Sequence, residues 1–553
     1  MRRIGEGSAP GTWIGDGALP CATRRGARSR VRWVLAILAV AAVAACSVPA
    51  PIVRSPSTPP SSGATAEPGV PLTHPLPNPT PAGIGLILTP FAQMPRSAPN
   101  PPVESGDNLD RWNRINYLGE IPDGSGRLFV PDLNGKLYVL RNGTPQVYLD
   151  VAKQVGASFW DHDGIGTGFG FVAFHPDFAR NGKFYTVDSE ARDALTTKKP
   201  SLPAPTTTTN QGVITEWTAT IPAADTFSGT HREVLRLGFE DDIHGIQQIG
   251  FNPTATPGSP DYGLLYLAVG DGGAAGDATE TKHTTVPGDL ALPQGKILRI
   301  DPLAHDAPGG AYGIPPTNPF VGRSGILPEI YASGLRGPYR FSWDAGEDHR
   351  MFLGNIGNEQ VESIYEVRAG DNFGWSDREG PFVVKLGDGP DSCDIYPVPP
   401  DDQQHHYTYP VAAYGHNDPP PDRPKCEDSG YAVIAGGVYR GDALPALQGK
   451  YVFGDGVTGR IFYTDVQDMR RGGHLATVYE LTLFDQAGKQ ITMEQVASTP
   501  EVELAGHRKV DLRFGTDARD ELFVLSKANG KIWKVTATRT PAPPPVPTPS
   551  VPN

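Results

Sequence analysis

The chain has 553 residues, including 65 glycines and 57 prolines, and carries a formal net charge of -13. That balance makes nucleic acid and anionic membrane surfaces poor partners, and the Gly and Pro content suits turn-rich β protein better than helical protein. A neutral solute such as a sugar is compatible with the charge without being implied by it.

In chain order, five arginines lie between Arg24 and Arg32, and an apolar run follows from Trp33 to Ala45, ending in Val43-Ala44-Ala45-Cys46. A basic stretch, a short apolar run and a small-residue cleavage site predict a secretory leader over residues 1–46 rather than a spanning helix. The cysteine directly after Val-Ala-Ala resembles a bacterial lipoprotein signal, so Cys46 is the expected lipid anchor, and the mature protein is expected at the cell surface or on the periplasmic side of the membrane. Residues 47–102, rich in Pro, Ser and Thr, are expected to form a spacer, and 538–553 a similar Pro-rich tail. Cys21 leaves with the leader, which isolates Cys393 and Cys426 in one long insertion. Outside the cytoplasm such a pair is expected to join.

Between these ends one short strand pattern recurs six times: Leu128-Phe129-Val130, Phe184-Tyr185-Thr186, Leu265-Tyr266-Leu267, Met351-Phe352-Leu353, Tyr451-Val452-Phe453 and Leu522-Phe523-Val524. Four copies are followed by a second run opening on Gly and a base, at Gly135-Lys136, Gly295-Lys296, Gly459-Arg460 and Gly530-Lys531. Strand, Gly turn, strand is a hairpin, and a hairpin cannot bury its own apolar face. Six of them stacked radially solve that problem and hide most strand edges. The predicted fold is therefore all-β, a six-bladed β-propeller over residues 103–537 with long inter-blade loops. Two packed sandwiches are the alternative.

Further motifs punctuate the array. Phe174-His175-Pro176-Asp177-Phe178 precedes Asn181-Gly182-Lys183; then come Asp242-Ile243-His244-Gly245 and Val269-Gly270-Asp271-Gly272-Gly273. Later come Gly334-Leu335-Arg336-Gly337-Pro338, Gly354-Asn355-Ile356-Gly357, Asp371-Asn372-Phe373-Gly374-Trp375 and Gly436-Gly437-Val438-Tyr439-Arg440-Gly441. In this order they resemble the glucose/sorbosone dehydrogenase family, whose members are six-bladed propellers and whose characterised enzymes oxidise sugars with pyrroloquinoline quinone (PQQ) and calcium.

The resemblance implies a role for each matching residue. His244 stands where the family has its catalytic histidine, and Asp271 matches the acidic partner that orients it. An imidazole titrates at about 6.5 and so can accept a hydroxyl proton near neutral pH. Arg336 matches the base that meets the acidic cofactor, where a planar guanidinium grips a carboxylate through two hydrogen bonds. Gly357 and Asn358 match positions whose backbone carbonyls ligate calcium, and Arg508 matches a further cofactor-contacting arginine. The expected partners are a small-molecule sugar substrate and an external electron acceptor, because no Cys-x-x-Cys-His haem motif is present.

Three departures weaken the grip on an acidic quinone: Gly337 replaces an Asn, Gly166 replaces a Gln, and the loop at Gly454-Asp455-Gly456-Val457 lacks a lysine. Each charged hydrogen bond lost costs about 1–3 kcal/mol of binding. A non-catalytic cell-surface propeller that binds a glycan or a protein is the alternative reading. Hydrolytic or lactone chemistry lacks a Gly-x-Ser-x-Gly nucleophile motif. Simpler roles are also open: Asp271 as a turn cap, Arg336 as a tie to Asp344 or Glu329, His175 as blade packing, and His405, His406 and His416 as solvated loop residues or metal ligands.

Overall fold

The computed structural model describes residues 69–97, 114–161, 167–273, 285–346, 348–358, 360–386, 394–416, 431–472, 474–497 and 510–541. The leader, Cys46, Gly166, Cys393, Cys426 and Arg508 lie outside these residues.

Each of the six recurring runs is the second strand of a four-stranded meander. Blade 1 is built from Gly119–Glu120, Leu128–Asp132, Lys136–Arg141 and Thr144–Asp150. Blade 2 follows with Phe169–Phe174, Lys183–Glu190, Asn210–Ala219 and Gly229–Phe239, and blade 3 with Ile246–Phe251, Leu265–Val269, Lys296–Ile300 and Ile330–Ser333. Blade 4 contains Gly337–Trp343, Met351–Ile356, Val361–Val367 and Ala412–Gly415. Blade 5 contains Val433–Val438, Lys450–Asp455, Ile461–Asp465 and Tyr479–Phe484. Blade 6 has only Leu512–Thr516, Leu522–Ser526 and Lys531–Arg539 from the C-terminal end of the chain. The protein is a six-bladed β-propeller.

The second strands lie between neighbouring blades and are covered on both faces. Leu265–Val269 and Leu522–Ser526 are buried at every position. That is why these segments read as unbroken apolar runs instead of alternating ones. Blades 1 and 2 pack through aromatic rings: Phe129 lies 5.0 Å from Phe174, and Tyr148 lies 5.8 Å from Phe184 and 6.1 Å from Phe227. Long connections occur between blades, as at 485–511, and also within them, as at 301–329 and 368–411. The last of these carries a small sheet of its own, Arg378–Glu379, Phe382–Val384 and Ile395–Tyr396.

The fourth strand of blade 6 comes from the other end of the chain. Thr80–Gln93 pairs antiparallel with Lys531–Arg539 and parallel with Tyr479–Phe484, so it ties blades 5 and 6 into one sheet. This corrects the expected spacer over 47–102, because the fold reaches back to residue 80. Pro81 and Pro90 argue against a strand in the sequence. The register shifts between Pro81 and Gly85 against one partner and between Pro90 and Ala92 against the other, which places both prolines at irregularities. Between them, Leu86 and Leu88 pack with Leu481, Leu483, Trp533 and Val535. The fully buried Leu86 side chain alone contributes about 1.5–3 kcal/mol of transfer free energy.

Candidate functional site

Four connections converge where blades 3 and 4 meet. His244 lies in the link from blade 2 into blade 3, and Asp271 directly after the second strand of blade 3. Arg336 lies in the three-residue link from blade 3 into blade 4, and Gly357 directly after the second strand of blade 4. In a ring of meanders these connections share one mouth of the channel. The sequence holds His244 and Gly357 more than a hundred residues apart, and only blade closure joins them.

The backbone is interlocked here. The Asp271 N–H donates to the Arg336 carbonyl at 2.8 Å, Gly270 N–H to Gly245 at 2.9 Å, and Gly272 N–H to His244 at 3.2 Å. His244 itself adopts the left-handed region, with φ at 50°. Gly270 must lack a side chain, because a Cβ there would sit 2.2 Å from the His244 carbonyl oxygen.

The side chains form a directed chain of hydrogen bonds. His244 Nδ1 lies 2.8 Å from Asp271 Oδ1, and His244 Nε2 lies 3.4 Å from Arg336 Nη1. A guanidinium only donates, so the nitrogen facing it must carry the lone pair. The proton then sits on Nδ1 and is donated to Asp271. In this tautomer the acceptor nitrogen Nε2 faces the mouth. Asp271 Oδ2 accepts from Trp375 Nε1 at 3.0 Å, and Oδ1 also accepts from the Gly273 N–H at 3.1 Å. Asp271 therefore caps its own turn as well as holding His244. Burial pushes its carboxyl upward, but the charge of His244 once its ring is protonated, its hydrogen bond, the charge of Arg336 and the Trp375 N–H outweigh it and hold the carboxyl below the usual range.

Arg336 is anchored by its backbone N–H, which donates to Asn355 Oδ1 at 3.2 Å, and its Nη1 donates to the Gly357 carbonyl at 2.6 Å. The guanidinium carbon lies 5.8 Å from the Trp375 ring. It does not tie a loop to Asp344 or Glu329, which instead accept from Arg440 and Tyr312. Its Nε–H is buried with no hydrogen-bond partner among the described residues. A buried orphan donor on a cation, beside a flat indole, suits a planar ligand bearing a carboxylate. On that ground the site fits an acidic quinone.

Calcium fares differently. The Gly357 carbonyl, expected to ligate the metal, already receives the Arg336 guanidinium, so a dication there would face a like charge at contact distance. Close by, Glu379 Oε1 is committed to the N–H groups of Asn358, Gln360 and Val361 at 2.8–2.9 Å. Among the described residues no group of three or more His, Cys, Asp or Glu could hold a metal ion. Calcium at Gly357 and Asn358 therefore stays an expectation; in this structure the Gly357 oxygen accepts from the protein's own cation.

A second buried cluster lies behind the first. His416 Nε2 meets Glu362 Oε1 at 2.9 Å, and Glu362 Oε2 accepts from Val433 N–H at 2.8 Å and Gly357 N–H at 3.3 Å. His416 is thus a buried core histidine rather than a solvated loop residue or a free metal ligand. His175 packs its ring 5.2 Å from Phe251, in line with a blade-packing role. Trp375 and Asn355 lie in motifs named above but without a role assigned to them, and Glu379 carries no sequence signal; each matters for what the fold brings to it.

The family described as Glucose / Sorbosone dehydrogenase matches residues 117–491. The HIPL2 protein of Arabidopsis thaliana is 27% identical over 399 residues, covering 63% of this chain and 52% of that protein. The Hedgehog-interacting protein of Homo sapiens is 24% identical over 437 residues, covering 76% and 50%. The chain spans about half the length of these curated relatives. Among solved structures, one of a glucose dehydrogenase aligns with a TM-score of 0.52 and 15% identity over 81% of this chain and 99% of that one, a likeness of fold.

Proposed function

Because the chain belongs to the glucose/sorbosone dehydrogenase family, we propose that it is an oxidoreductase that oxidises an aldose sugar or a related polyol, with hydride passing to a quinone cofactor. The observation that carries this reading is the Asp271–His244–Arg336 chain, which leaves an acceptor imidazole nitrogen and a guanidinium N–H facing the same 3.4 Å gap. A sugar hydroxyl that displaces the Arg336 N–H from Nε2 finds an acceptor for its proton there and a donor for its oxygen in the displaced guanidinium. Asp271 stabilises the imidazolium that results, and a base held against its substrate gains the usual advantage of proximity. PQQ, when bound, supplies the acceptor for the hydride from the carbon of that hydroxyl. Arg336 and Trp375 are the residues to hold it, through the orphan Nε–H and the indole face. An external acceptor then takes the electrons.

The test is reconstitution: protein, PQQ and an artificial dye acceptor, with and without calcium, across a panel of aldoses. PQQ should raise the melting temperature by mass action and support dye reduction. Dye reduction that needs both the quinone and His244 supports the reading, and no melting shift at saturating PQQ sinks it.

A second reading, a surface propeller that binds a glycan or a protein, is supported by the Arg336–Gly357 contact, which puts a guanidinium on an oxygen expected to meet calcium. Silence on every sugar with an intact fold would select it. For either reading we propose export and a lipid anchor at Cys46. The check is Cys46→Ala, which should move the protein out of the membrane fraction; an unaltered distribution argues against the anchor.

A further inference from the structure

The inner strands of the blades run in the same sense along the channel, as the parallel bridge between Leu118 and Gly515 shows for blades 1 and 6. His244 and Arg336 precede the inner strands of blades 3 and 4, so the ends of those strands, Phe251 and Trp343, lie toward the opposite mouth. There a cavity of about 590 Å³ opens, within the size range of small-molecule sites. Its walls include Phe171, Phe341, Trp343 and Phe514. Its floor includes two arginines, Arg340 and Arg513, which are only 4% and 6% exposed.

Arg340 has no carboxylate partner among the described residues, and Arg513 has only a long ion pair with Asp511. Arg340 donates to the carbonyls of Gln247 and Asn116 and to the Tyr339 hydroxyl, with its charge 4.6 Å from the Phe171 ring and 4.3 Å from the Tyr339 ring. Arg513 donates to Asn116 Oδ1 at 3.2 Å and to the Leu512 carbonyl at 2.6 Å, and its nearest carboxylate, Asp511, stands 3.9 Å away, beyond hydrogen-bond distance. Burial pushes Arg340 down to about 10, and Arg513 adds like-charge repulsion, against the opposing pull of Tyr339 and Tyr117. Arg340 also holds a left-handed backbone, φ 70°, that a long side chain adopts only when the surroundings demand it. A buried cation with no ion pair, beside a second whose carboxylate stands at 3.9 Å, costs stability unless a further anion shares them. The rim carries Glu120, Asp517 and Asp520, which repel a polyanion.

We propose that this end of the channel is a second binding site, for a small monocarboxylate with an aromatic body, whose carboxylate sits on Arg340 and Arg513 and whose ring lies among the phenyl and indole walls. The site is independent of the dehydrogenase reading, since none of its residues belongs to the His244 cluster.

The probe is 1-naphthoate, titrated into the full chain while tryptophan fluorescence and calorimetry are followed, with 1-naphthalenemethanol as the neutral analogue and inorganic phosphate as the plain anion. Naphthoate should bind and raise the melting temperature, and the two controls should do neither. Arg340→Gly suits the left-handed backbone and should fold, and Arg513→Met removes the other charge; each should weaken naphthoate by about tenfold or more, the size of one charged hydrogen bond lost. Trp343→Phe should remove the fluorescence change, which places the bound ring against this wall. Absence of naphthoate binding at millimolar concentration, equal binding of the alcohol or of phosphate, or unchanged affinity in both arginine variants overturns the proposal.

Discussion

Replacing Asp271 by Asn tests the heart of the candidate site with one atom exchanged. Two side-chain donors converge on this carboxylate, His244 Nδ1–H on Oδ1 and Trp375 Nε1–H on Oδ2. An amide offers a single acceptor oxygen, so its NH₂ must face one of them. If it faces His244, the imidazole is driven to the other tautomer and its proton points at Arg336, which leaves no lone pair for a hydroxyl. Losing one charge-assisted bond in a buried setting predicts a fall in unfolding free energy of about 2–3 kcal/mol. The tautomer error predicts a fall in dye-linked sugar oxidation of about 10²–10⁴-fold.

The pH dependence follows from the sign of the shift. Asp271 is held below the ordinary carboxyl value in the fold, so its contribution is complete above the unfolded pKa, about 3.9, and is lost as the pH falls through the folded value. The stability gap between wild type and Asp271→Asn should therefore be full near neutrality and should narrow only in acid below about pH 4. Urea melts at several pH values and steady-state rates measure both. A variant with wild-type turnover and a stability within about 0.5 kcal/mol of wild type would refute the reasoning, since that is the scatter of an inert surface change.

His416 is raised above the ordinary imidazole value: burial pushes it down, but the hydrogen bond and charge of Glu362, with Glu379 and Asp455 beyond, outweigh that. A raised value means that its contribution is complete below about pH 6.5 and is lost as the pH rises through the folded value. Wild type should therefore lose stability with rising pH above that point, whereas His416→Gln should show a flatter profile; parallel profiles from urea melts would count against the buried pair. Leu86→Ala in the N-terminal strand should cost about 2–5 kcal/mol, because the side chain is fully buried against blades 5 and 6. A loss below about 1 kcal/mol in the same assay would mean that this strand is not part of the packed sheet. His244→Ala should remove most sugar oxidation with the circular dichroism spectrum unchanged; retained turnover rejects the base.

The blades were legible because a strand packed on both faces must be apolar at every position, and Leu265–Val269 and Leu522–Ser526 announce that directly in the amino-acid order. The third strands were legible through their Gly-base openings, as at Gly295-Lys296 and Gly530-Lys531. Thr80–Gln93 was not, because Pro81 and Pro90 mimic a linker and its partners lie some 400–450 residues away in the chain. The residue types of the candidate site, a histidine before blade 3, an acid after its second strand and an arginine before blade 4, could be named in advance through their motifs.

What the chain order by itself determined is local: which segments extend, where they turn and which chemical groups stand at the turns. What only the tertiary structure decided is which groups meet. Ring closure put Arg336 on the Gly357 carbonyl, where a metal was expected, brought Trp375 to Asp271, buried His416 against Glu362 and left Arg340 beside Arg513 in the channel. Those encounters depend on distances between residues from different blades, and a distance across a ring is set by the packing of every blade in it, which no short stretch of sequence encodes.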